Sequence, residues 1–126
     1  MALRIININI GTDPEDEYIM MKAHSGANLA EYAIVNRHFL TKEPDKKIMH
    51  FNFPNIRIKR GEYIMLVSGV GEDRRYTDIE GDTIHKFYWN SNHCLWNTSG
   101  EEAVLIHYQV ISEYMIHNEE ANKKAS

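Results

Sequence analysis

The stretch FNFPNIRIKRGEYIMLVSGVG, Phe51 to Gly71, constrains the fold more than any other part of the chain. Ile56 and Ile58 alternate with Arg57 and Lys59, Gly61 interrupts, and Tyr63 to Val67 resumes with residues that suit a pleated, half-buried surface. An alternation of period two puts apolar and charged side chains on opposite faces of an extended strand, so the segment asks for two strands and a turn. Pro54 removes a ladder donor and fixes its own φ, which suits a strand edge or start, and Gly61 can take the φ > 0 that a turn needs.

Related patterns recur on both sides. LRIININI alternates Leu3 and Ile5 with polar positions until GTDPEDE breaks it, while TIHKFYWN and EEAVLIHYQVISEYMI are rich in branched and aromatic residues. Between the last two, NTSGE has the composition of a hairpin turn, which makes His93 to Ile111 a packed hairpin rather than the wall of an active site. In that reading one of Leu95 and Trp96 is buried and the other at the surface, with Trp96 the one that packs, and Tyr88 or Trp89 is partly exposed.

Two segments admit a second reading. DPEDEYIMMKAHSG has Asp13 at a cap position, Pro14 in the first helical position, acids in the first turn and Gly26 near an end, and NLAEYAIVNRHFL carries a helical stripe through Leu29, Ala33, Asn36 and Leu40. The competing reading takes EYIMMKA and YAIVNRHF as strands, and local pattern leaves both open.

With 126 residues the chain is one domain's worth of sequence, long enough for a core of its own. Fourteen Lys and Arg against eighteen Asp and Glu leave a net charge of −4, which weighs against a broad grip on nucleic-acid phosphate. A single cysteine permits no internal disulfide and favours a reducing compartment. No apolar run approaches the roughly 20 residues of a membrane span, and MALRIININI lacks the parts of a signal peptide. The chain therefore reads as cytoplasmic, or as exported if a signal segment has been removed. NEEANKKAS is polar and free of large apolar residues, so residues 1–117 read as the domain and 118–126 as a disordered tail.

The chemistry-bearing residues form no known catalytic pattern. His24, His38, His50, His85, His93, His107 and His117 show no metal-ligand spacing, and the adjacent pair His93 and Cys94 would point to opposite faces of a strand. No serine sits in a nucleophile elbow, and Cys94 has no flanking Lys or Arg to lower its pKa, so it reads as a buried, inert thiol. VSGVGED lacks the lysine of a phosphate loop, and DPEDE and EGD lack the order of a calcium loop. No metal, cofactor or catalytic residue is predicted.

The order of pieces resembles a lamin-tail domain, the immunoglobulin-like module at the end of nuclear lamins and in many bacterial proteins. Glu17 and Tyr18 match its acidic-aromatic strand opening, and Leu29 to Tyr32 match its Leu-x-Gly-Trp step, with Glu31 in place of the glycine. Phe53 and Pro54 match a Phe-Pro pair, and Arg60 and Gly61 a Pro-Gly turn that here lacks its proline. Gly69, Gly71, Tyr88, Trp89 and the run Leu95 to Ile106 are similar to the stand-alone bacterial members. The resemblance covers roughly Ile5 to Ile111 and implies an all-β, immunoglobulin-like β-sandwich, with DEYIMMKA and EYAIVNR as strands.

It also implies a binding, tethering or anchoring role. The expected function is a non-catalytic interaction module that binds a protein or polymer partner, or its own copy, through loops of the sandwich. Recognition is expected in Gly69 to Asn92, where Arg74 and Arg75 would pair with an acidic partner, His85 would add a pH-dependent contact and Tyr88 or Trp89 would anchor by burial. Two other classes stay open: a nucleic-acid-binding module using Arg57, Lys59, Arg60, Arg74 and Arg75, and an enzyme whose site the sequence does not display.

Overall fold

A computed structural model of the protein describes residues 2–108. The expected continuation of the last strand over residues 109–116, the boundary at residue 117 and the tail 118–126 lie outside the described residues. The elements are β1 (Leu3–Asn9), β2 (Tyr18–Ala23), β3 (Ala27–Asn28), β4 (Tyr32–Asn36), α1 (Arg37–Thr41), β5 (His50–Asn52), β6 (Arg57–Ile58), β7 (Tyr63–Val67), β8 (Arg74–Thr77), β9 (Thr83–Tyr88) and β10 (Ala103–His107). They form an all-β sandwich. A five-stranded sheet has the order β1-β2-β7-β9-β8, a three-stranded sheet the order β10-β4-β5, and β3 and β6 make a short ribbon.

The core lies between the sheets because alternate residues of each strand point inward. Ile19, Met21 and Ala23 of β2, Ile64 and Leu66 of β7, and Phe87 of β9 meet Tyr32 and Ile34 of β4, with Leu29, Phe53 and Ile58 closing the side. Phe53 meets Phe87 edge-on at 5.5 Å, and Phe51 of β5 lies 5.3 Å from Trp89 beyond the end of β9. β7 and β9 run parallel, which two successive strands achieve only by a crossover; the chain supplies it by going out to the sheet edge as β8 and returning.

Several expectations change at this level. Asp13 and Pro14 open only a single 3-10 turn, Pro14–Asp16, after which β2 follows as a strand. In YAIVNRHF the strand ends at Asn36 and α1 begins at Arg37, because the buried Asn36 side chain accepts from the Phe39 amide at 3.1 Å and caps the helix. NTSGE is a turn, with Gly100 at φ 90° and the Glu101 amide donating to the Thr98 carbonyl at 3.1 Å, but it joins no hairpin. β9 pairs with β7 and β8, whereas β10 pairs with β4, so the segment carries the chain from one sheet to the other. Leu95 and Trp96 lie in this crossing, outside any strand, and both are buried. The strand rule that gave one of them to solvent does not apply there. Gly61 has φ 89°, as a turn needs.

Candidate functional site

Gly69 to Asn92 is not a free loop. It contains the antiparallel hairpin β8–β9, with Arg75 opposite His85 and Arg74 opposite Lys86. This register fixes where each expected recognition residue lies. Arg75, His85, Phe87 and Trp89 take the face toward the core, while Arg74, Lys86 and Tyr88 take the outer face of the sheet.

His85 is therefore buried, with its Nε2 2.9 Å from Glu62 Oε1. Burial alone would raise the Glu62 carboxyl; the Lys59 amide at 2.9 Å, His85 and the charge of Arg75 outweigh it and hold the group below the usual carboxylate range. The ring nitrogen of His85 expected to meet a partner is taken up by Glu62 inside the molecule. Arg74 and Arg75 are exposed and border a small pocket of about 140 Å³ with Ile56, Asp73, His85 and Phe87. Tyr88 is half-buried with its ring against Gly71, where an added Cβ would sit 2.5 Å from ring carbons, and the Lys86 ammonium is 5.3 Å from the ring centroid. The basic residues Arg57, Lys59 and Arg60 are exposed in and just after β6, an element of the separate ribbon.

Trp89 lies elsewhere, in the wall of a cleft of about 480 Å³ between the connection that follows α1 and the loop after β9. Neighbouring rings hold the indole half-exposed: Phe51 at 5.3 Å and Trp96 edge-on at 6.0 Å. The loop that follows is fixed by backbone bonds, from the Asn90 amide to the Gly69 carbonyl at 3.0 Å and from the Ser91 amide to the Ser68 carbonyl at 2.9 Å. Asn90 has φ 65°, a conformation asparagine tolerates, and its side chain accepts from the Gly71 amide at 3.1 Å.

The polar groups around Trp89 form one network. Lys47 Nζ lies 3.2 Å from His93 Nε2, and His93 Nδ1 lies 2.9 Å from Asn92 Oδ1. An ammonium is only a donor and an amide oxygen only an acceptor, so these contacts place the imidazole proton on Nδ1 and leave Nε2 to accept from Lys47. Ser91 Oγ donates to the His93 carbonyl at 2.8 Å, so its proton is held by backbone. Met49 and Leu95 make the apolar floor, and among the described residues no carboxylate lines the cleft. The segment Gly69 to Asn92 expected for recognition contains Trp89, Asn90, Ser91 and Asn92, of which only Trp89 was singled out; Lys47 and His93 lie outside it, Lys47 far away in sequence.

The loops at this end are tied together by Glu17, which is fully buried. Its Oε1 accepts from Ser68 Oγ at 2.6 Å, the Leu95 amide at 2.6 Å and the Trp96 amide at 3.2 Å. Cys94 beside it is half-buried and contacts the Gly11 carbonyl at 3.3 Å; burial pushes its thiol up, and the charge of Glu17 pushes it further, the reverse of an activated nucleophile. Among the described residues no three of His, Cys, Asp and Glu gather as a metal site, and no helix is long and apolar enough to cross a membrane. No protein-family model matches the chain, and a search of curated proteins finds no match.

Proposed function

We propose that the chain is a non-catalytic interaction module of lamin-tail type, an immunoglobulin-like sandwich that receives an acidic loop of a protein partner in the Trp89 cleft. One observation carries this reading: the Trp89 cleft presents an exposed part of an indole together with amide, hydroxyl, imidazole and ammonium groups and, among the described residues, no carboxylate. Such a surface offers burial to an aliphatic or aromatic side chain and charge-assisted donors to a carboxylate, the pairing that makes Trp a frequent interface anchor. The bonding of Ser91 and the raised Cys94 thiol favour binding over acyl chemistry. The cleft is built from loops, around residues 42–49 and 89–95, and shares Trp89 to Asn92 with the segment expected for recognition.

The test is site-specific photo-crosslinking. A photoreactive residue at Asn92 is expected to give discrete adducts with a native partner, and one at Ile6, exposed on the β1 edge at the far side of the five-stranded sheet, none. Lys47→Glu should cut the Asn92 adducts about tenfold and leave the melting temperature within about 2 °C, as for an exposed charge. Equal adducts at both positions, or indifference to Lys47→Glu, would reject the cleft as the site.

A further inference from the structure

The hairpin offers a second surface, made of backbone. Among the described residues β8 is the last strand of the five-stranded sheet, and its register decides which of its peptide groups point away from the sheet. The Asp78 amide donates to the Asp82 carbonyl at 2.9 Å, one step beyond the Thr77–Thr83 pair. Hydrogen-bonded and non-hydrogen-bonded pairs alternate along an antiparallel ladder, so Tyr76–Ile84 and Arg74–Lys86 are the bonded pairs. β9 agrees, since the Trp89 amide turns the other way, to the Val67 carbonyl at 2.8 Å. Arg75 and Thr77 therefore point both N–H and C=O away from the sheet.

Most exposed edges are blunted, and the opposite edge of this sheet is: β1 slips register between Ile5 and Asn7, leaving Ile6 as a bulge. β8 pairs without a shift and stays regular. Its charges are also unspent. Asp73 gives its carboxylate to the Tyr88 amide at 3.1 Å, and Asp78 accepts from the Glu80 and Asp82 amides at 3.0 and 2.9 Å. Neither Arg74 nor Arg75 forms an ion pair among the described residues; the Arg74 guanidinium lies 5.0 Å from the Tyr76 ring centroid, and Arg75 faces a Glu62 already bonded to His85. The pocket of about 140 Å³ beside Arg75 has room for one side chain of a strand laid along the edge.

We propose that β8 is a docking edge for an extended acidic segment of a protein partner, which adds a sixth strand through the outward peptide groups of Arg75 and Thr77 and sets two carboxylates against Arg74 and Arg75. Backbone bonds supply the attachment and the two arginines supply the choice of sequence. Glu72 and Glu80 near the ends of the strand restrict the carboxylates to its centre, so neutral or basic residues follow on either side. The surface shares no lining residue with the Trp89 cleft, and neither proposal depends on the other.

The probe is a fluorescein-labelled peptide, Ser-Thr-Val-Glu-Glu-Thr-Val-Ser, with a twin in which both Glu are Lys, each titrated against the full chain. The acidic peptide is expected to bind saturably and the twin about tenfold more weakly or less. Hydrogen exchange should slow at the Arg75 and Thr77 amides and not at Tyr76, whose amide already faces β9. The deciding variant is Thr77→Pro. It deletes an outward donor and leaves the β8–β9 ladder intact, since proline is tolerated on an edge strand where the N–H faces solvent. Loss of peptide binding at an unchanged melting temperature supports the proposal. No binding of the acidic peptide at millimolar concentration, equal binding of the twin, or full binding by Thr77→Pro overturns it. Self-association of the chain that Thr77→Pro abolishes would also overturn it, by assigning the edge to a second copy.

Discussion

Glu17 shows how much one side chain holds. A carboxylate with no exposure needs strong partners, and its Oε1 has three donors, two of them backbone amides of the crossing between the sheets. Truncation would leave those amides and the Ser68 hydroxyl without an acceptor, each at about 1–3 kcal/mol, so Glu17→Ala is expected to cost about 3 kcal/mol or more. Glu17→Gln keeps one acceptor oxygen and should lose less. Urea unfolding of the two variants measures this, and a loss under about 1 kcal/mol for Glu17→Ala would mean that the clamp carries no net stability. The sequence pattern marks Glu17 only as the acid that opens a strand in a lamin-tail-like order. Its clamp was not legible there, because the partners lie 51, 78 and 79 positions away and nothing local encodes their approach. His85 is the converse case. Its place in a segment read as a recognition loop suggested a contact with a partner, and only the strand register turns it inward to Glu62.

At the scale of elements, strand existence was legible and strand partnership was not. Alternation located β1, β6 and β7, because a period of two is written in consecutive residues, and branched and aromatic composition located β9 and β10; β2 and β4 were left open by local pattern, and β8 was read as part of a loop. Which strands pair depends on the whole core, so the turn chemistry of NTSGE, correct in itself, was assigned to a hairpin that does not exist. Glycines show the same division. Gly61 is required by its own φ of 89°, with nothing within 4 Å of an added Cβ, and Gly61→Ala should cost about 1 kcal/mol through backbone strain alone. Gly69 has an ordinary φ, but a Cβ there would meet the Glu15 amide nitrogen at 2.8 Å and the Pro14 carbonyl carbon at 2.9 Å. Backbone cannot move aside as a side-chain tip can. Gly69→Ala is therefore expected to cost more than Gly61→Ala, and to weaken crosslinking through Asn92 if the proposed cleft is the site, since the Gly69 carbonyl holds the Asn90 amide. Melting temperatures of the two variants give the order; a milder effect at Gly69 would mean that the Pro14–Asp16 turn shifts freely.

For the molecule as a whole, the question is whether two sheets joined by crossings unfold as one. Phe51, Phe53, Phe87, Trp89 and Trp96 form a continuous line of ring contacts between 5.2 and 6.0 Å that runs from the three-stranded sheet to β9 and then to the crossing. Each sheet buries its inner face only against the other, so neither has a core of its own, and exposing one exposes both. Glu17 adds a polar tie, joining the start of β2 to the segment that leads into β10. A single cooperative transition follows. The protein supplies its own probes, because both tryptophans sit in the ring line and report packing between the sheets, while far-UV circular dichroism reports the strands. Urea curves from the two signals should share one midpoint. A separation of about 0.5 M, on the order of 1 kcal/mol at the usual slopes, would show that the five-stranded sheet survives loss of the other and that the ring line is not the common core.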